Sequence, residues 1–225
     1  MMNKNIFVAC DVSSQKEIID LISKIHEEIS GIKIGLQYIT RHSPKDIKEL
    51  GKFKKPIFYD GKFFDIKNTL VESVKSLEEL NVSYATVHLL NGLDALKAAK
   101  DAADKIDVKL LGVSVLTSFD DQDLNQLGFK YQVKEQVLRL IKIAVQANLY
   151  GVVCSPLEIR MIKKISPNLK CFTPGIRQSK KKNDQKRTMN AKEALKEGSD
   201  CLIIGRPITD GDPKRNIQEI LSSIN

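Results

Sequence analysis

Residues Pro56–Thr69 read P-I-F-Y-D-G-K-F-F-D-I-K-N-T. The stretch opens as an apolar strand, ends in a turn or helix start, and carries Asp60, Lys62 and Asp65 where a buried strand should hold no charge. Side chains of an extended chain alternate between its two sides, so Phe58, Asp60 and Lys62 share one face. Asp65 falls just past the strand end, where the chain turns. Two carboxylates flanking one ammonium at the end of a buried strand are costly unless the charges pair. The stretch is therefore either a structural ion pair or a catalytic ammonium held between two aspartates.

Outward from this strand the chain keeps a regular beat. Upstream, Ile6–Val12 is an apolar run with Asp11 at its end, and Gly31–Gly35 (G-I-K-I-G) is a short strand with Lys33 inside it. Between them Ile18, Ile22, Ile25 and Ile29 step by four, three and four, which is one face of a helix. Pro44–Leu50 reads as a short helix, and the strand Ile57–Lys62 follows it. Downstream, Leu70, Val74 and Leu77 mark a helix with Asn68 and Thr69 as capping candidates. The strands Tyr84–Leu90, Leu110–Leu116, Gly151–Cys154, Lys170–Pro174 and Cys201–Ile204 come next. They alternate with helical patterns at Leu93–Ala103, Val133–Val145, Leu157–Ile165, Ala191–Glu197 and Asn216–Ile224, and Asp120–Lys130 reads as a polar segment. Eight strand–helix units in 225 residues predict a parallel sheet closed as a (β/α)8 TIM barrel, a single domain over residues 1–225. A doubly wound open sheet is the alternative.

In such a barrel, chemistry sits at the C-terminal ends of the strands. Asp11, Lys33, Asp60, Lys62, Thr117, Ser118, Arg177, Gly205 and Arg206 all fall at or just after strand ends. Groups that would be expensive in mid-strand thus gather at one rim, which favours a catalytic site over an isolated ion pair. After strands seven and eight, T-P-G-I-R (Thr173–Arg177) and I-G-R-P (Ile204–Pro207) supply glycines for close backbone approach and arginines for a phosphate dianion. The loop Arg177–Arg187, with Asp184 and Gln185, has the composition of a lid over that phosphate. No dinucleotide fingerprint, Walker-type loop, zinc-protease motif or nucleophile elbow occurs. His26 and His42 are expected on the surface, and His88 either borders the site or, the favoured reading, is a satisfied core histidine. Metal-free chemistry is favoured, with Asp60 and Asp65 the pair that would hold a divalent ion if one were used.

Composition narrows the classes. Hydrophobic content of 42% and charged content of 28% suit a soluble globular protein, and no apolar run approaches membrane-spanning length. The N-terminal M-M-N-K-N leads straight into I-F-V-A-C without a signal-peptide layout. Cys10, Cys154, Cys171 and Cys201 are widely spaced in apolar runs, as reduced core thiols of a cytoplasmic protein would be. A net charge of +8, densest at Lys180–Lys182 and Lys186–Arg187, fits an anionic partner, either a nucleic acid or a phosphorylated metabolite.

The whole chain resembles the orotidine 5′-phosphate decarboxylase family. D-G-K-F-F-D-I-K-N-T (Asp60–Thr69) is similar to that family's D-x-K-x-x-D-I-x-N-T signature. A-C-D, G-I-K-I-G, V-L-T-S, G-V-V-C-S, T-P-G-I-R, D-Q-K-R and I-G-R-P follow in family order and spacing. The resemblance implies Lys62 as proton donor with Asp60 beside it, and Asp11 and Lys33 on the ribose, completing the charged array. It implies Asp65, with Ile66, Asn68 and Thr69, reaching the partner's site across a homodimer interface. It places Thr117 near the pyrimidine, and assigns Arg177, Gln185, Gly205 and Arg206 to substrate and phosphate binding. It implies no cofactor, no membrane and no nucleic acid.

Departures from the family pattern stand beside these positions. Gly61 replaces a larger apolar residue, Phe64 a common histidine and Lys67 a frequent proline. Gln178-Ser179-Lys180 stands for Pro-x-Gly, and Asn190-Ala191 for Thr-Pro. They bear on lid details and rate rather than on the reaction. Two rivals remain: a sister group with the same fold and D-x-K-x-x-D motif that acts on sugar phosphates with magnesium, and a basic nucleic-acid-binding protein. The Asp65–Thr69 continuation argues against the first, and the charges buried in strand three against the second.

Overall fold

The computed structural model describes residues 5–177 and 187–224. Its strands are β1 (Ile6–Ala9), β2 (Gly31–Gly35), β3 (Ile57–Phe63), β4 (Tyr84–His88), β5 (Lys109–Val113), β6 (Gly151–Val153), β7 (Lys170–Thr173) and β8 (Cys201–Ile204). All pair in parallel, and β8 returns to β1, closing the barrel in sequence order. The expected (β/α)8 architecture is the observed one.

Strict alternation along short strands builds two cores. Ile6, Val8, Ile32, Ile34, Ile57, Ala85, Val87, Leu110, Val152, Leu202 and Ile204 face outward onto the helices. The helix Gln15–Ile25 presents Ile18, Leu21, Ile22 and Ile25 to that layer, and Ser14 and Glu17 close its first turn as a reciprocal capping box. The inward set is centred on rings: Phe7, Phe58 and Phe172 pack with Tyr84 and Tyr150, alongside Ala9, Leu111, Cys201 and Ile203. Phe7 and Tyr84 meet edge to face at 5.5 Å, and Tyr84 and Phe172 approach to 5.3 Å. Gly31 makes room for this floor, since a Cβ there would lie 2.2 Å from the Phe7 ring.

Local chemistry explains where the observed elements differ from the expected ones. Most strands stop a residue or more short, and the freed residues become the rim. Asp120–Lys130 contains the helix Asp121–Gln126, nucleated by a capping box between Asp120 and Asp123 and anchored by buried Leu124. Asn68 and Thr69 are not caps: the helix Lys67–Lys75 starts before them, at the end of a turn in which Asp65 N donates to Asn91 Oδ1 at 3.1 Å. His26 and His42 are half-buried rather than on the surface, His42 lying 4.2 Å from the Tyr38 ring. No helix among the described residues is long and apolar enough to cross a membrane.

Candidate active site

The ends of β1, β2 and β3 carry a row of alternating charge. Asp11 Oδ1 lies 3.7 Å from Lys33 Nζ, Lys33 Nζ lies 3.3 Å from Asp60 Oδ2, and Lys62 Nζ donates to Asp60 Oδ1 at 2.9 Å. In G-I-K-I-G the inward positions are Gly31, Lys33 and Gly35. A Cβ on Gly35 would already stand 3.1 Å from Asp11 Oδ1, so the missing side chain leaves space for the Asp11–Lys33 contact. Burial works to raise the Asp60 carboxyl, but Lys33 and then Lys62 outweigh it and hold it below the ordinary carboxylate range. Burial likewise pushes Lys33 down, and Asp60 and Asp11 together carry it above its ordinary value.

Lys62 does not reach the row by simple alternation. The β3–β4 register shifts between Tyr59 and Phe63, and Lys62 adopts a left-handed backbone with φ 49°. For a non-glycine residue that conformation costs on the order of 1–2 kcal/mol, and a bulge beside a site commonly re-aims a side chain in this way. Thr86 holds the turn: its hydroxyl accepts from Lys62 N at 2.8 Å and donates to Asp60 Oδ1 at 3.0 Å. Gly61 follows from the same geometry. A Cβ there would meet the Tyr59 ring at 2.7 Å, and Tyr59 stacks on Phe63 at 5.6 Å, so this aromatic pair fills the place of a larger residue 61.

On the other side of β1 from β2, β8 and then β7 continue the rim. Gly175 takes φ 77°, a conformation suited to glycine. The segment is pinned where Met189 N donates to Gly175 O at 3.2 Å and Arg177 N donates to Met189 O at 2.9 Å. Gly205 precedes the short helix Arg206–Thr209. One cavity of about 400 Å³ is lined by Asp11, Lys33, Asp60 and Lys62 together with Thr117, Gly175, Arg177, Gly205 and Arg206.

Asp65, Ile66, Asn68 and Thr69 are exposed and lie away from that lining, with Ile66 74% exposed. Gln185, Lys180–Lys182 and most of the expected lid lie outside the described residues. His88 does not line the charged cavity. It is half-buried, its Nδ1 accepts from Leu90 N at 3.3 Å, and its ring stands 5.5 Å from that of Phe64. Sequence reasoning missed Thr86 and Asn91, whose Nδ2 donates to Phe63 O at 2.9 Å and to His88 O at 2.8 Å. Thr86 had a signal, as a hydroxyl in the apolar strand Y-A-T-V-H on the face shared with Tyr84. Asn91 had none.

Fold and rim together define a (β/α)8-barrel enzyme whose chemistry is built on the C-terminal ends of its strands. Residues 4–220 match the model of the Orotidine 5′-phosphate decarboxylase / HUMPS family, and the chain belongs to that family. It is 37% identical over 221 residues to the orotidine 5′-phosphate decarboxylase of Wolbachia pipientis subsp. Culex pipiens, covering 97% of this chain and 98% of that one. To the enzyme of the same name from Idiomarina loihiensis it is 39% identical over 224 residues, 97% of each chain. The crystal structure of orotidine 5′-phosphate decarboxylase from Lactobacillus acidophilus superposes with a TM-score of 0.86 at 32% identity, over 99% of this chain and 100% of that one.

Proposed function

We propose that this protein decarboxylates orotidine 5′-phosphate to uridine 5′-phosphate and CO2, the last step of de novo UMP synthesis. The observation that carries the reading is the alternating row Asp11–Lys33–Asp60–Lys62 set in one cavity with Arg177 and Arg206. Full-length similarity to curated decarboxylases supports it.

When the bond from carbon 6 to the carboxylate breaks, its electron pair stays in the ring plane, where the π system cannot delocalise it. The site must stabilise that carbanion electrostatically and then protonate it. Lys62 is the donor: its ammonium gives one proton to carbon 6, and the neutral amine recovers a proton from solvent. An ammonium about 4 Å away contributes roughly 4 kcal/mol at an effective dielectric near 20, or about three decades of rate. The rest comes from a preorganised array and from binding energy at the remote phosphate. Asp60 fixes Lys62, and Lys33 and Asp11 meet the ribose. Thr117 stands by the pyrimidine, and Arg177, Gln185, Gly205 and Arg206 take the phosphate. The step needs no cofactor.

The barrel works as a single domain over residues 1–225 and as a homodimer in which Asp65, Ile66, Asn68 and Thr69 enter the partner's cavity. What supports this is exposed apolar surface just past the end of β3, where Phe64 is 62% and Ile66 74% exposed. Four buried free cysteines and a nucleotide substrate suit the cytoplasm.

The test is decarboxylation of orotidine 5′-phosphate in excess chelator, followed by loss of orotate absorbance, with Lys62→Ala in parallel. Rapid loss for the wild type alone is expected. Loss abolished by the chelator, or no loss, would overturn the reading and direct attention to sugar phosphates with magnesium, the rival reading of the D-x-K-x-x-D motif.

A further inference from the structure

We propose that Arg187 and Glu158 form a positioning pair for the cavity wall that carries Thr117; the inference rests on the decarboxylase reading above. Neither residue lines the charged cavity. Glu158 is 3% exposed and pairs with Arg187 through Nη1, while Arg187 Nη2 donates to Leu116 O at 3.0 Å. The second carboxylate oxygen of Glu158 accepts from Ser155 N at 2.9 Å. One buried ion pair thus ties residue 187, after β7, to the turn Ser155–Glu158 after β6 and to the carbonyl of Leu116 after β5. Leu116 and Thr117 line the cavity, as does Val153 at the end of β6.

The pair is poorly optimised as a stabiliser. Burial pushes the Glu158 carboxyl up and Arg187 offsets only part of that, while the buried Arg187 Nε finds no acceptor among the described residues. A buried ion pair often stabilises no better than an apolar replacement of similar volume. What an apolar replacement cannot supply is the directional bond to Leu116 O. With a planar fork, one arginine reaches a carboxylate and a carbonyl at once. Loss of that bond leaves Thr117 free to shift against the substrate base, which weakens ground-state and transition-state binding alike.

The experiment compares steady-state kinetics and thermal melting of Arg187→Met, Arg187→Lys and the double variant Arg187→Met/Glu158→Gln with the wild type. Arg187→Met leaves a buried carboxylate without its cation and lowers Tm. The double variant removes that charge, while the amide oxygen introduced by Glu158→Gln still accepts from Ser155 N, and its Tm returns to near the wild-type value. In the double variant KM stays raised by about tenfold with kcat changed by less than about threefold, the pattern of lost uniform binding. Arg187→Lys, which keeps the charge but not the fork, shows an intermediate KM. Recovery of KM together with Tm in the double variant would reduce the pair to a structural brace and overturn the proposal, as would an unchanged KM in all three variants. If Arg187→Met does not fold, the other two variants carry the same test. An inactive wild type overturns the decarboxylase reading, and this role with it; an active wild type with unaltered variants overturns the pair's role alone.

Discussion

The inside of the barrel holds two unlike regions, one above the other. Toward the N-terminal ends of the strands Phe7, Phe58, Tyr84, Tyr150 and Phe172 form a floor of interlocked rings. Toward the C-terminal ends Lys33, Asp60, Lys62 and Thr86 form a layer that is almost wholly polar. On β3 the change takes two residues, from Phe58 at 0% exposure to Asp60. The floor shows that shape alone is enough to fill a barrel. The polar layer is tolerated because every charge in it has a partner of opposite sign, and the apolar floor keeps water from screening those partners from below. Rigidity and chemistry are thus segregated along one axis, with stability stored beneath and function exposed above.

Substitutions in the two layers should therefore separate activity from stability. Lys62→Ala is expected to lose at least about a thousandfold in turnover. Its Tm should stay close to the wild-type value, since Asp60 keeps Lys33 and Thr86. A large fall in Tm would mean that the row is mainly structural. Phe58→Ala, one layer down, is expected to cost about 3–5 kcal/mol in chemical denaturation through the cavity it leaves. In the surviving native fraction KM should change little, and a selective loss of kcat without loss of stability would break the division. Gly31→Ala forces a methyl into the Phe7 ring and should cost about 1–3 kcal/mol. Structure determination of that variant would show the Phe7 ring displaced.

Titration gives the smallest effects and bears on the polar layer. Burial, and behind it the charge of Lys62, hold His88 below the ordinary histidine range. The unfolded chain therefore takes up that proton first, and stability should decline as pH falls through about 6.5. His88→Gln should flatten this limb in denaturation curves recorded at several pH values, and an unchanged slope would remove His88 as its source. Asp60, depressed by Lys33 and Lys62 despite burial, stabilises fully above about pH 4 and loses that contribution as pH drops through its lower native value. Lys33, raised by Asp60 and Asp11 despite burial, contributes fully below about pH 10.4 and loses that contribution only as pH rises through its higher native value.

Much of this layering was legible in the residues. Alternation with a period of two is a property of one strand, so G-I-K-I-G and P-I-F-Y-D-G-K declare their inward faces before any partner strand is known. The eight-unit beat, the bounds of β2 and β8, and the gathering of Asp11, Lys33 and Asp60 at one rim follow from that local rule together with chain order. The capping of 121–126 by Asp120 was equally local, yet it was hidden by a run of polar residues with little apolar periodicity.

Other features belong to the closed barrel alone. The left-handed turn at Lys62 depends on a hydroxyl 24 residues away, on β4. The Arg187–Glu158 pair bridges 29 residues, and the bond to Leu116 bridges 71. Gly61 is explained only when Tyr59 and Phe63 are seen to stack across it. Sequence determines which side of its own strand a residue takes, because that depends on neighbours one and two positions away. Which groups then meet depends on the register between strands and on barrel closure, and these are set by packing over the whole chain.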